Sequence, residues 1–493
     1  MRARCLFYAI TVAALAVMQA LLGASVGVLG TLVIIATAAL APLAKRNPRV
    51  SDGLFALFCV YFGTASLVVK TLAAQPVQTN LVVPETTATY LLAGFASIGV
   101  GYAASHMVRR PSRFAIRLRT ITADPARLAW LAPLAFALGA LFVFLQTQFR
   151  AIASNGGFEG GGFGGFGTFY PLLLLGAGLQ AALVAQRPAT VAPKALLAAM
   201  AIVVLALTLA DNTKRTLFDF ALVVLVTLLA FRVRMRWRWI VPAAIAAIVA
   251  VAFVVPAIQI VRAQPDARGL SRIAATARVI AAARFDPVGL AADADRIAAG
   301  FQLTYYDSYV YPRTWNTERF TMIQPIDQVA RRLGDRGTMG LADLWRDPAE
   351  TLLPGFLLRK TLVTAPDRIA WHYGFRARGS IARPVVGLVA SSLAALGWVG
   401  VLVLPAITVA ITFVVLDLAT GRMANNAWAA FVFAATAFLA EREVSTTLSF
   451  FCRSFPFLLL VGAALLLLDR SHRARRAFGG MRISAPAGAA DWR

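Results

Sequence analysis

Val261–Leu290 reads VRAQPDARGLSRIAATARVIAAARFDPVGL, and it opens a polar stretch that runs to Arg383. Eighteen of the chain's 48 Lys and Arg, and 12 of its 23 Asp and Glu, fall between Val261 and Arg383. On both sides of that stretch the chain is almost wholly apolar. Over all 493 residues, 59% are hydrophobic and 14% are charged, and the mean hydropathy is +0.71. A soluble domain carries about 25% charged residues, so this composition is that of a membrane protein with one large aqueous insert. The net charge of +25 does not point to nucleic acid. Most basic residues sit in short segments between apolar runs, where they set orientation, and no nucleic-acid partner is expected.

A helix needs about 20 apolar residues to cross the hydrocarbon core. The candidate runs are 5–22, 24–43, 54–74, 86–107, 128–148, 169–186, 194–210, 216–231, 239–260, 385–417, 427–441 and 454–468, which predicts about 12 spans. The tenth is too long for one span, so its start, 384–392, is expected along the interface. The first run follows Arg2 and Arg4 and has the look of a signal peptide. A second run begins directly after Gly23, which favours an uncleaved hairpin; cleavage there would leave the later topology unchanged.

Basic residues decide the orientation. With the N-terminus cytoplasmic, the short inside segments hold 24 Lys and Arg, and the short outside segments hold six: Lys70, Arg150, Lys214, Arg215, Arg442 and Arg453. Short basic loops stay in the cytoplasm, while long loops translocate largely regardless of charge. Both termini are therefore expected inside, with 261–383 outside, in a bacterial periplasm. The domains follow: 1–260, nine N-terminal spans; 261–383, a large helical loop; 384–468, three C-terminal spans; 469–493, a cytoplasmic tail. The fold class is an all-α polytopic membrane protein.

The loop has readable helices. Leu270–Arg284 places Ile273, Ala277 and Ile280 on one face, with Arg272, Arg278 and Arg284 for the polar side. Asp286-Pro287 reads as an N-cap with proline at the first helical position, opening a helix to about Phe301. A third helix beginning near Pro325 carries Ile326, Val329 and Leu333. Residues 338–345 and 352–360 are shorter candidates. Aromatic residues crowd the middle of the loop: Tyr305, Tyr306, Tyr309, Tyr311 and Trp315, with Asp307 among them. Such rings suit stacking on pyranose rings, interfacial anchoring or simple packing.

Three segments carry candidate chemistry. Asp211-Asn212-Thr213-Lys214-Arg215 puts two adjacent cations on the outer side, against the charge bias; holding a diphosphate is one reason for them, and an Asp/Asn turn is the other reading. Trp371–Arg383 combines His372 with Arg376, Arg378 and Arg383 beside glycines, and suits phosphate binding and proton transfer, or a snorkelling linker. Glu441-Arg442-Glu443, followed by Arg453, offers a general base or an ion pair. The glycine-rich run 155–167 reads as a tether between helices. Three cysteines (Cys5, Cys59, Cys452) and three histidines (His106, His372, His472) lie far apart, so neither a disulfide framework nor a protein-held metal is expected.

This layout resembles the bacterial O-antigen and oligosaccharide repeat-unit polymerases of the Wzy type. The local matches are Asn212-Thr213-Lys214-Arg215-Thr216, similar to that family's small-residue/Arg turn, Gly397-Trp398-Val399-Gly400, similar to its Gly-x-x-Gly after the large loop, and Leu352-Leu353-Pro354. The resemblance implies a GT-C-like fold and a metal-independent, inverting membrane glycosyltransferase without a cofactor. It would polymerise undecaprenyl-diphosphate-linked repeat units at the periplasmic face of the inner membrane, alongside a chain-length regulator. Lys214 and Arg215, then Arg376 and Arg378, would hold the diphosphate. His372, Glu441 and Asp307 are the candidates for deprotonating the acceptor, and Tyr305, Tyr306, Tyr309 and Trp315 for stacking on the glycan. The related O-antigen ligases carry a loop His closer to the Gly-x-x-Gly than His372 is here, so polymerase is preferred to ligase. A flippase is the alternative from another class; it would predict mid-membrane charges and internal repeats.

Overall fold

The computed structural model describes residues 2–107, 110–149, 151–152, 158–159, 168–211, 213–233, 237–262, 264, 269–301, 309–310, 320–352, 363–376 and 384–479. In chain order the helices are α1 (Arg2–Leu21), α2 (Val26–Ala38), α3 (Leu40–Leu43), α4 (Val50–Cys59), α5 (Ala65–Leu72), α6 (Pro84–Ser105), α7 (Arg113–Ile121) and α8 (Pro125–Phe149). There follow α9 (Tyr170–Gln186), α10 (Val191–Asp211), α11 (Arg215–Ala230), α12 (Trp237–Val249) and α13 (Val255–Arg262). The polar stretch holds α14 (Ser271–Ala282), α15 (Pro287–Phe301), α16 (Ile323–Arg336), α17 (Ala342–Leu352) and α18 (Ala365–His372). The chain closes with α19 (Leu388–Thr420), α20 (Ala427–Thr436), α21 (Val444–Ser449) and α22 (Phe455–Gly479). Among the described residues the only strands are a two-residue antiparallel pair, Ala151–Ile152 with Phe158–Glu159.

The protein is an all-α membrane protein. Among the described residues, eight helices are long and apolar enough to cross a membrane: Arg4–Leu21, Val26–Leu43, Val50–Leu72, Pro84–Ser105, Pro125–Thr147, Val191–Asp211, Leu388–Thr420 and Val444–Asp469. Three more apolar helices are shorter: Tyr170–Gln186, Ala250–Val261 and Ala427–Glu441. The run expected at 216–231 is helical too, as the 16-residue α11. Small residues let the helices approach closely. At Gly139 and Gly176 an added Cβ would run into the backbone of the facing helix, which seals the α8–α9 contact.

The long tenth run is a broken helix, and its start, expected along the interface, is covered by protein. Leu388–Ala395 is buried throughout, and at Gly397 the backbone turns to φ 61°, ψ −137°, a region open in practice only to glycine. A break releases the carbonyls of the preceding turn, and buried carbonyls must be bonded. The polar loop bonds them: Met339 N–H donates to the Ala394 carbonyl at 2.8 Å, Gly340 N–H to that of Ala395 at 3.0 Å, and the Tyr373 hydroxyl to Ala394 at 3.2 Å. Gly400 is needed as well, because a Cβ there would strike the Ser392 carbonyl.

A second contact works in the opposite direction. The N-cap position of α6, Val83, has no capping side chain of its own. The fully buried Asp327 on α16 supplies the acceptor, taking Val82 N–H (3.0 Å), Val83 N–H (2.9 Å) and the Thr87 hydroxyl (3.0 Å). A carboxylate at a helix N-terminus is favoured by the unpaired N–H groups and by the helix dipole. Met322 N–H meets the Tyr61 carbonyl at 3.2 Å, within a π-helical turn that links α4 to α5. The far end of the bundle is tied separately: Asp417 accepts from the Ser51 hydroxyl at 2.7 Å, and Asp52 from Lys45 and from Tyr102, each at 2.7 Å.

The loop helices match their reading in part. α15 begins at Pro287, with the Asp286 carboxylate accepting from Val288 N–H at 2.9 Å. α16 buries Ile326 and Val329, with Leu333 half-buried. On α14 the expected face is wrong. The buried residues are Arg272, Ala275 and Thr276, whereas Ala277 is exposed and Ile273 and Ile280 are half-buried. The reason is Arg272, whose guanidinium turns inward to the Ala210 carbonyl at 3.2 Å and so caps the C-terminal end of α10. α18 is a further helix, not read from the sequence, that ends at the start of the segment 371–383. Thr364 and Asp367 form its capping box, and Asp347 of α17 accepts from Ala365 N–H at its start.

Replacing Asp327 by Ala strands three donors and is expected to cost about 3 kcal/mol of stability, and Gly397→Ala about 2 kcal/mol. Thermal unfolding of the detergent-purified protein, with limited proteolysis across 320–352, measures both. Unchanged melting with an unchanged digestion pattern would remove these contacts from the account.

Candidate functional site

The polar residues on the loop side of the bundle gather where the ends of α9 and α11 meet the chain between α20 and α21. The α10–α11 turn is set by its own side chains: the Thr213 hydroxyl donates to Asp211 at 3.0 Å, and Thr213 N–H to the Thr208 carbonyl at 3.3 Å. Helix α11 then starts at Arg215. One turn on, Asp219 accepts from Arg215 Nε at 3.0 Å and from the Tyr170 hydroxyl at 2.9 Å, both on the same oxygen. The Arg215 guanidinium also lies 4.9 Å from the centre of the Phe438 ring and 5.8 Å from that of Tyr170. Its plane is thus fixed from three sides, while the side chain stays 51% exposed. The Nε side is used by Asp219, and the two terminal amino groups make no hydrogen bond among the described residues. An Arg held in this way presents its fork to a ligand.

α20 ends at Thr436 and the chain passes through a 3₁₀ turn, Ala437–Glu441, before α21. That turn carries Phe438 and Glu441 to the Arg215 side, and the charges of Glu441 and Asp219 act on one another. Glu441 is 6% exposed and pairs with Arg442 at 3.6 Å. Glu443 is fully buried. One of its oxygens takes the Thr446 hydroxyl, and the other has no hydrogen-bond partner among the described residues. Burial pushes its carboxyl up from the ordinary glutamate value, opposed by the Arg442 charge and the Thr446 hydroxyl. Arg453 turns away from both glutamates and donates to the Thr168 hydroxyl at 2.7 Å. The loop reaches this region through α17, which packs on α21. α17 is itself braced by Arg368, bonded to Asp347 at 2.8 Å and paired with Asp343 at 3.3 Å.

The other sequence candidates are placed elsewhere. His372 closes α18, with Nε2 3.2 Å from the Arg336 carbonyl and its ring edge-on to Tyr373. No hydrogen bond or ion pair joins it to the Arg215 cluster among the described residues. Arg376 is buried at 7% exposure. Burial raises the Tyr373 hydroxyl to about 12, and that hydroxyl is bonded to the carbonyls of Gly337 and Ala394. Tyr309 is fully buried: its hydroxyl donates to the Val77 carbonyl at 2.8 Å, and the Lys70 ammonium sits 4.3 Å from its ring centre. It therefore serves packing between the loop and the 73–83 turn and offers no open stacking face. Lys214 is half-buried at the start of α11. Asn212, Tyr305, Tyr306, Asp307, Tyr311, Trp315, Leu353, Pro354, Arg378 and Arg383 lie outside the described residues.

Three members of the cluster escaped the sequence reading, Asp219, Tyr170 and Phe438. Asp219 was visible in principle as an acid four residues after Arg215 inside an apolar run, the spacing of a helical ion pair. Tyr170 gave no signal, because its partner is 49 residues away. Among the described residues, no group of three or more His, Cys, Asp or Glu is placed to hold a metal ion. Comparison of the chain with known protein families, with curated proteins and with solved structures found no match.

The raised carboxyl of Glu443 makes a signed prediction. An acid whose folded-state pKa lies above its ordinary 4.5 is tolerated best when protonated. Its contribution is most favourable below 4.5 and declines as pH rises through the folded-state value. Glu443→Gln should therefore gain in melting temperature over wild type as pH is raised from 4.5 to 8. A gap that stays flat or narrows would mean that Glu443 is ionised and well satisfied.

Proposed function

We propose that the protein polymerises lipid-diphosphate-linked oligosaccharide repeat units at the outer face of a bacterial inner membrane. In this reading all 12 apolar runs cross the bilayer, both termini are cytoplasmic, and the GT-C-like bundle carries its active centre under the periplasmic loop. The observation that carries it is the Arg215 fork. It is held by Asp219, Tyr170 and Phe438 at the end of a membrane helix and is open on its terminal side.

The chemistry asks for what that cluster offers. The acceptor hydroxyl oxygen attacks the anomeric carbon of the growing glycan. The bond from that carbon to the diphosphate breaks, and the lipid diphosphate leaves with the electron pair. Negative charge grows on the leaving group, and a fixed guanidinium stabilises it more in the transition state than before it. Arg215 and Lys214 take that role, with Arg376 and Arg378 next in order. The hydroxyl proton goes to a nearby base, for which Glu441, whose charge acts on Asp219 of the Arg215 cluster, now stands ahead of His372 and Asp307. Tyr305, Tyr306 and Trp315 remain the candidates for stacking on the glycan, and a chain-length regulator the candidate partner. The charges of the apolar helices speak against a flippase: the buried Asp52, Lys70 and Asp417 and the half-buried Asp219 each lie within two turns of a helix end, where a transport path would ask for them at mid-depth.

Arg215→Ala in the native host is expected to lower long-chain surface polysaccharide by about 100-fold at normal protein level, and Arg215→Lys to restore only part, since an ammonium lacks the fork. Gel analysis of surface polysaccharide reads this. Deleting the gene should leave single repeat units on the acceptor. Long chains persisting in Arg215→Ala would remove the clamp, and loss of all glycan on deletion would point to a flippase or ligase.

A further inference from the structure

One apolar face of the loop helices is left partly uncovered among the described residues. Leu270, Ile273, Ala277 and Ile280 follow one another at helical spacing along α14, yet Arg272, Ala275 and Thr276 form its buried side. The apolar face is turned outward and continues past the helix. Leu270 is 58% exposed, Phe285 69% and Val288 76%. Phe285 stands at the α14–α15 turn, where it and Arg284 both adopt positive φ, 58° and 52°. Two consecutive left-handed non-glycine residues are uncommon, and here the turn delivers a large ring to the surface.

The height of this face is set by what the hairpin packs on. Arg272 is bonded to the carbonyl of Ala210, in the last turn of a helix long and apolar enough to cross the membrane. α15 packs along α13 and reaches the π-helical turn Ala250–Val254, inside the apolar helix Ala250–Val261. Directly before that turn Ile248 and Val249 are 67% and 49% exposed, as lipid-facing residues of a span would be. The outward face of α14 thus continues the apolar surface of the bundle at the level where the spans end. Arg278 and Arg284 flank it, both exposed, and no acid occurs between Leu270 and Phe285. Long basic side chains beside an apolar face are what an interface with anionic headgroups requires.

We propose that the α14–α15 hairpin is a membrane-immersed foot. Leu270, Ile280, Phe285 and Val288 enter the acyl boundary of the loop-side leaflet, and Arg278 and Arg284 meet lipid phosphates. The occupant of the face is bilayer lipid, chosen for its continuity with the span surface and for the cationic flank. Through Arg272 the foot also holds the end of α10, and with it the Lys214-Arg215 turn, at headgroup height. The inference stands whether or not the protein is a polymerase.

The wild-type chain, in nanodiscs of phosphatidylcholine and phosphatidylglycerol, is labelled with a bilayer-soluble aryl diazirine and mapped by peptide mass spectrometry. Carbene adducts across 270–288 are expected, as at the exposed Val241, Ile245, Ile248 and Val249. Adducts at 241–249 with none at 270–288 would assign the face to water or to a protein partner and overturn the proposal. A second reading uses spin labels at Phe285→Cys and Asp293→Cys. The label at 285 should be more accessible to oxygen than to a nickel chelate, and the label at 293, on the exposed polar side of α15, the reverse. Nickel-favoured behaviour at both sites would also overturn it.

Discussion

A helix that breaks inside an apolar protein must find partners for the carbonyls it releases. In this chain the break is at Gly397, and the partners are the backbone N–H groups of Met339 and Gly340 and the hydroxyl of Tyr373, all from the polar loop. In return, the bundle's α6 takes its N-terminal cap from Asp327 of the same loop. Each part completes backbone bonding that the other leaves open. The loop is therefore a structural half of the bundle's upper end, and its helices are fixed in height and rotation by hydrogen bonds to buried groups. That rigidity lets α17 press on α21, beside the chain segment that carries Glu441, Arg442 and Glu443. It also gives the Gly-x-x-Gly at 397–400 a physical meaning: one glycine permits the turn, and the other clears the Ser392 carbonyl.

Much of this architecture could be read from the sequence, because it rests on local rules. Apolar runs became helices, Asp286-Pro287 opened α15, and the hydrophobic spacing of α16 gave its inner face. What could not be read depends on distant partners. The inward face of α14 follows from Arg272 finding the end of α10, a contact across 62 positions that outweighs the apolar stripe. The capping of α6 by Asp327 spans about 240 positions. Periodicity cannot report such pairings, and it put Arg272 on the polar side of its helix. The break at Gly397 was half visible: the run was plainly too long for one span, but where the excess went depended on loop residues more than 20 positions upstream.

The candidate site follows the same division. Lys214 and Arg215 stood out because two cations on the outer side defy the charge bias. Glu441 and Arg442 stood out because ions beside an apolar run need partners. Their gathering on one side of the bundle, through Asp219, Tyr170 and Phe438, came from the fold. The aromatic reading was weaker, since sequence cannot separate a stacking ring from a packed one, and Tyr309 proves to be packed. What results is a fixed guanidinium, partly open and backed by a carboxylate, beside a buried acid segment. This arrangement is the ground of the proposed role, in which Arg215 holds a leaving diphosphate.

In the proposed function this chain by itself forms glycosidic bonds between lipid-linked units. The decisive experiment uses the purified protein in proteoliposomes, given the lipid-linked single repeat unit extracted from a strain lacking the gene. A ladder of longer lipid-linked glycans is expected together with released lipid diphosphate, in step with one another. Single units that stay single, while crossing from one leaflet to the other only when the protein is present, would contradict it.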